Sequence, residues 1–176
     1  MDPKLWLIGY GGWPVTRRAS GLVEALRGRG VTRLVDVRLS PCASDPGEGR
    51  PYGPKPWNLQ AGRAGLVGLL DAAGIAYEWF VELGNPQRRD PSMAVLRSHL
   101  ADPLGDWPVH RGLDRLAMLV KRPAEVVAIL CACEDWRTCH RTLIARALAD
   151  RHFGGKLELG DARSGAAIPH SSTMEE

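Results

Sequence analysis

Residues 124–155, "AEVVAILCACEDWRTCHRTLIARALADRHFGG", decide how the chain folds. The first part, 124–132, is a nearly unbroken apolar run of strand length. It lacks the polar alternation of a half-exposed strand, so it reads as a strand buried on both faces. The last part, 138–155, repeats apolar residues at helical spacing and stops at a glycine pair, which suits a left-handed helix end. A buried strand feeding a helix through a short polar loop is half of a βαβ unit, and such units build parallel sheets covered by helices.

The same alternation extends to both sides. Residues 4–9 read as a first strand, 17–30 as a glycine-closed helix and 31–39 as a second strand. Further on, 61–74 read as a helix, 75–83 as a third strand, 91–101 and 110–122 as helices bounded by Pro91 and Pro123, and 156–159 as a short last strand. The expected fold is a single α/β domain over residues 1–159, with a mostly parallel sheet of about five strands and helices on both faces. Residues 160–176 offer little to bury and are expected to form a flexible C-terminal tail. The stretch 40–57, with five prolines, cannot be a regular element and is expected to fold over the site as a long loop.

Bulk properties narrow the function classes. A chain of 176 residues, 44% hydrophobic and 24% charged, suits one globular domain, and no apolar run nears the roughly 20 residues that span a bilayer. The start lacks a basic leader and a long apolar stretch, so a cytoplasmic, reducing location is expected, with the four cysteines as thiols or ligands rather than disulfides. A net charge of +3 without a dense Lys/Arg block favours an anionic small molecule or nucleotide as partner, with nucleic acid as the alternative.

In parallel α/β sheets ligands bind at the carboxyl ends of the strands. After the first strand, Gly9, Gly11 and Gly12 can form a turn whose N–H groups cradle phosphate, or one that merely allows close packing. At the end of the second strand Asp36 and Arg38 share a face, as a rim ion pair or as an anion clamp that Asp36 orients. Beyond the 124–132 strand, Cys131 and Cys133 share a face while Cys139 and His140 open the next helix. Positive side chains in a first turn oppose the helix dipole, and a bound anion, or Glu134 and Asp135, would relieve that conflict. His140 is a candidate general acid/base with Asp36 or Glu134 as its orienting partner, or a hydrogen-bonded residue at the core edge.

Three chemistries compete for the cysteines. Cys131-x₅-Arg137 has the bare spacing of a phosphatase loop, but Glu134 and Asp135 would repel phosphate. Cys131, Cys133, Cys139 and His140 are suitable zinc ligands, but adjacent Cys139 and His140 must then aim at one ion. Buried cysteines acting as small apolar residues are the third. These arguments favour an anion site without metal or other cofactor, in which Arg38 and Arg141 bind the ligand.

Taken as an ordered set, "IGYGG" (8–12), "LVDVRLSPCAS" (34–44), "GIAYEWFVELGN" (74–85) and "ILCACEDWRTCHRTLIARAL" (129–148) resemble the domain of unknown function 488 family, over about residues 5–150. The resemblance implies a site of Asp36, Arg38, Ser44, Tyr77, Gly84, Cys131, Glu134, Cys139, His140 and Arg141. The family usually reads C-x-E before C-H-R, whereas this chain has an extra cysteine, Cys133, ahead of Glu134. The expected function is an enzyme, as a hydrolase or transferase, or a ligand-binding domain, acting on a phosphorylated small molecule, nucleotide or nucleic-acid end. The alternatives are a non-catalytic nucleic-acid or protein binding module and a zinc- or thiol-dependent site.

Overall fold

The structure, a computed structural model, describes residues 3–39, 65–87 and 90–170. The proline-rich stretch 40–57, with Ser44, lies outside the described residues. Five strands, β1 (Lys4–Gly9), β2 (Arg33–Asp36), β3 (Ala76–Trp79), β4 (Val127–Cys131) and β5 (Glu158–Asp161), form one sheet in the order β3-β2-β4-β1-β5. All four strand pairs are parallel. The helices are α1 (Arg18–Gly28), α2 (Leu66–Ala72), α3 (Ala94–Ala101), α4 (Pro108–Val120) and α5 (His140–Phe153). The α/β fold with a parallel sheet of five strands is the one expected.

Two cores follow from the pleat. Leu5, Leu7, Val35, Val37, Val127 and Ile129 point to one face and pack with residues of α3, α4 and α5. Trp6, Ile8, Leu34, Ala128 and Leu130 point to the other and pack with α1 and α2. Both faces are covered, which is why the central strands are apolar without alternation. Helix α4 starts at Pro108, where a missing N–H costs nothing, and buries Val109, Leu113, Leu116 and Val120 along one stripe. Helix α5 ends at Gly154 with φ 57°, a left-handed cap suited to glycine.

Several elements are shorter than the apolar patterns suggest. β2 stops at Asp36, and β3 stops at Trp79 because Phe80 turns into the core and Val81–Leu83 wind into a 3-10 turn. Helix α5 begins at His140, not Thr138, with extended Cys139 as its N-cap. The boundary expected at residue 160 falls inside β5. Beyond it, Ala162 and Ile168 are buried, and Gly160 bridges antiparallel to Ala167. Turning the chain back over the sheet edge lets these apolar side chains pack, which composition alone did not indicate.

The connections create a switch point in the sheet. From β2 the chain continues through α2 to β3 at one edge, whereas from β4 it continues through α5 to β5 at the other. Neighbouring β2 and β4 therefore send their next helices to opposite faces, and the crevice outside their carboxyl ends is the switch point where such sheets bind ligands. Asp36 and Leu130 are in register at that edge.

Candidate metal centre

At the carboxyl end of β4 the loop 132–139 folds back on itself, and hydrogen bonds hold its backbone and the strand end before it. Tyr10 N–H donates to the Cys131 carbonyl at 3.4 Å. Arg141, in the first turn of α5, donates from one terminal nitrogen to the Cys133 carbonyl at 2.9 Å and from the other to the Glu134 carbonyl at 3.2 Å. Asp135 accepts the Arg137 N–H at 2.9 Å, closing a local turn. The glycines of β1 and its turn permit the approach. A Cβ on Gly9 would stand 1.9 Å from the Cys133 carbonyl oxygen, and one on Gly11 2.8 Å from the Ala132 carbonyl oxygen. Close packing of backbone on backbone thus accounts for Gly9 and Gly11. Gly12 faces the Arg163 side chain, and Arg163 donates to its carbonyl at 2.8 Å.

The held loop gathers thiols. The sulfurs of Cys131, Cys133 and Cys139 all lie within 4.8 Å of one another, with Cys131 and Cys133 3.6 Å apart, and these three cysteines could hold a metal ion. His140 Nδ1 lies 3.5 Å from the Cys131 sulfur and 3.9 Å from that of Cys139. Its other nitrogen, Nε2, is 2.9 Å from the Val37 carbonyl oxygen. A carbonyl only accepts, so Nε2 carries the proton and Nδ1 of a neutral ring presents a lone pair to the sulfurs. The adjacent Cys139 and His140 both approach the Cys131 sulfur because the backbone changes from extended at Cys139 to helical at His140. Cys131 and Cys139 are buried and Cys133 is exposed.

Hydrogen bonds from Cys133 and Cys139, and then the His140 imidazole, hold the Cys131 thiol well below its ordinary range against the effect of burial. That thiolate pushes the Cys133 and Cys139 thiols up. Burial works against a charged imidazole, but the hydrogen bond and charge of Cys131 outweigh it and raise His140 above its usual value.

A second polar cluster lies on the α1/α2 side of the same edge. Fully buried Asp36 accepts from Arg38 Nε at 2.9 Å, from the Arg38 backbone N–H at 3.0 Å and from the Tyr77 hydroxyl at 2.9 Å. Tyr10 Oη lies 3.4 Å from an Arg38 terminal nitrogen. Burial, then the Asp36 charge, raise Tyr77 above the ordinary phenol range, so it remains a donor.

Of the residues grouped from the sequence, Cys131, Cys139, His140, Arg141 and Gly9 come together, and Asp36, Arg38 and Tyr77 form the neighbouring cluster. The clusters meet at Val37, whose side chain lies in the α4/α5 core and whose carbonyl takes the His140 bond. Among the described residues Asp36 makes no bond to His140. Glu134 is exposed, and its backbone carbonyl is what contacts Arg141. Gly84 packs against Leu39, whose Cα would be 2.9 Å from an added Cβ. Arg137 precedes the helix and pairs with Asp135 over the Trp136 ring, so it is no helical neighbour of Arg141. Tyr10 and the Val37 carbonyl were not anticipated. The first was visible only as part of a glycine turn, and a main-chain acceptor leaves no side-chain signal.

A family model described as "Domain of unknown function DUF488" matches residues 54–148, more than half of the chain. The chain belongs to this family. No curated protein and no solved structure matches it. The span matched to the domain of unknown function 488 family runs through α2, β3, α3, α4, β4 and most of α5, and so contains the whole thiol cluster. Asp36 and Arg38 lie before it, on β2 and just after. No helix among the described residues is long and apolar enough to cross a membrane.

Proposed function

We propose that this member of the family is a zinc protein, whose ion is held at the carboxyl edge of the sheet by Cys131, Cys133 and Cys139, with His140 Nδ1 as fourth ligand. The observation that carries this reading is the convergence of three thiols within 4.8 Å of one another, with His140 Nδ1 at 3.5 and 3.9 Å from two of them. Tetrahedral zinc with bonds of about 2.3 Å to sulfur and 2.0–2.1 Å to nitrogen sets its ligand atoms roughly 3.5–3.8 Å apart. The Cys131–Cys133 and Cys131–His140 separations are 3.6 and 3.5 Å. The second support is the Nε2–H bond of His140 to Val37, the outer hydrogen bond that fixes the tautomer of a ligating histidine. A set of thiolates and one imidazole favours zinc over hard cations such as magnesium.

This ranking differs from the one drawn from the sequence. There, Arg38 and Arg141 were to bind an anion, with His140 as general acid/base. Arg38 is engaged by Asp36 and Arg141 by loop carbonyls, which leaves the thiols as the more pronounced feature of the edge. Coordinated thiolates keep zinc a weak Lewis acid. The exposed Cys133 thiolate, rather than a metal-bound water, is then the group that a substrate reaches first.

Zinc that binds the converged thiols of the folded chain more tightly than the unfolded segment adds that difference to folding free energy. At free zinc 100-fold above Kd it contributes about 2.7 kcal/mol, or roughly 5–10 °C in Tm for a chain of this size. Stripping the metal with a strong chelator should lower Tm by that amount and readdition of zinc should restore it. Cys139→Ser should contain little zinc and show no chelator response. A parent protein that carries no zinc and melts identically with and without chelator would rule the reading out.

A further inference from the structure

Arg141 is 1% exposed, the largest side chain so deeply buried among the described residues. A buried guanidinium is retained when an anion balances it, and desolvation is severe otherwise. No carboxylate among the described residues lies within ion-pair distance of Arg141. Its partners are the carbonyls of Cys133 and Glu134 and the Cys139 sulfur at 3.4 Å, while Nε has no hydrogen-bond partner among the described residues. Carbonyls supply dipoles but no net charge. The groups at hand that can carry a compensating charge are the three thiols.

We infer that Arg141 is the counter-ion of the thiolate centre. It is a positioning residue that makes a divalent metal with three thiolates electrically neutral, and the inference rests on the metal reading above. The charges close: +2 on the ion and −3 on the thiolates leave −1, which the guanidinium cancels, with His140 neutral. Gly9 serves the same end, because a Cβ there would stand 2.4 Å from the Arg141 nitrogen that reaches the loop. The arrangement also accounts for a positive side chain in the first turn of α5, where the helix dipole alone would disfavour it.

Charge and mere support of the loop can be separated with two probes of opposite demand. Zinc with three thiolates needs the cation. Arsenic(III) does not: As(OH)₃ condenses with three thiols to give As(SR)₃ and three waters, each S–H proton leaving with a hydroxyl, and the product is neutral. In the full chain, Arg141→Met should weaken zinc binding about 10–100-fold, the size of an outer-shell loss at a metal site. It should leave arsenite binding unchanged or tighter. Arg141→Lys, which keeps the charge but not the planar fork, should retain zinc affinity near the parent's and covers the case in which the methionine variant does not fold. Equal losses of zinc and arsenite in Arg141→Met, zinc loss in Arg141→Lys as large as in Arg141→Met, or unchanged zinc affinity in Arg141→Met would each overturn the inference. A parent protein that binds neither probe at one per chain would instead overturn the metal reading itself.

Discussion

Asp36→Ala should destabilise the protein by about 3–5 kcal/mol, the cost of stranding one member of a buried ion pair. Asp36 is fully buried and Arg38 is 5% exposed, so water cannot replace the lost carboxylate. Four donors lose their acceptor at once: Arg38 Nε, an Arg38 terminal nitrogen, the Arg38 backbone N–H and the Tyr77 hydroxyl. Against a total stability of about 5–15 kcal/mol this is a large share. An exposed pair sets the scale for comparison. Arg17 and Glu24 lie 3.1 Å apart in water, and Glu24→Ala should cost no more than about 1 kcal/mol. Urea unfolding of both variants checks the contrast, provided the m value stays that of the parent. If Asp36→Ala costs no more than Glu24→Ala, the β2 cluster is not the closed ion pair described.

Gly9→Ala should cost about 3 kcal/mol, at the upper end of ordinary overpacking, and should also remove bound zinc. The new methyl would lie 1.9 Å from the Cys133 carbonyl oxygen, a backbone atom that cannot rotate away. Relief requires the loop 132–139 to move outward, which separates the Cys133 thiol from the other two. Gly28→Ala, at the end of α1 where an added Cβ would meet nothing within 4 Å among the described residues, should instead be neutral or stabilising by about 0.4–1 kcal/mol. Thermal melting and metal analysis of the two variants read both effects. A Gly9→Ala protein that keeps its zinc would mean that the glycine is not what lets the loop close.

The fold was legible because its signals are local. Apolar runs without alternation, closed by glycine or proline, marked the buried strands and their helices, and β1 was read to the residue. What failed was extent where tertiary packing decides, as at Phe80, which turns inward and ends β3, and at Ala162 and Ile168, which find a core that composition did not reveal. The carboxyl-end rule also pointed to the edge at which the three thiols gather. The chemistry there was not legible. Whether Cys139 and His140 can face one point depends on the backbone change between them, and the destination of the Arg141 guanidinium depends on a loop folding back beneath it. Neither is written in residue spacing. The glycine turn was visible as two alternatives, phosphate cradle or close packing, and only the distances from a Gly9 or Gly11 Cβ to the loop favour the second.

X-ray absorption at the zinc edge, on protein isolated without added metal, tests the account most directly. The account predicts about one zinc per chain, with three sulfurs at about 2.3 Å and one nitrogen at about 2.0–2.1 Å. A metal-free protein, or a zinc shell of oxygen and nitrogen without sulfur, would contradict it.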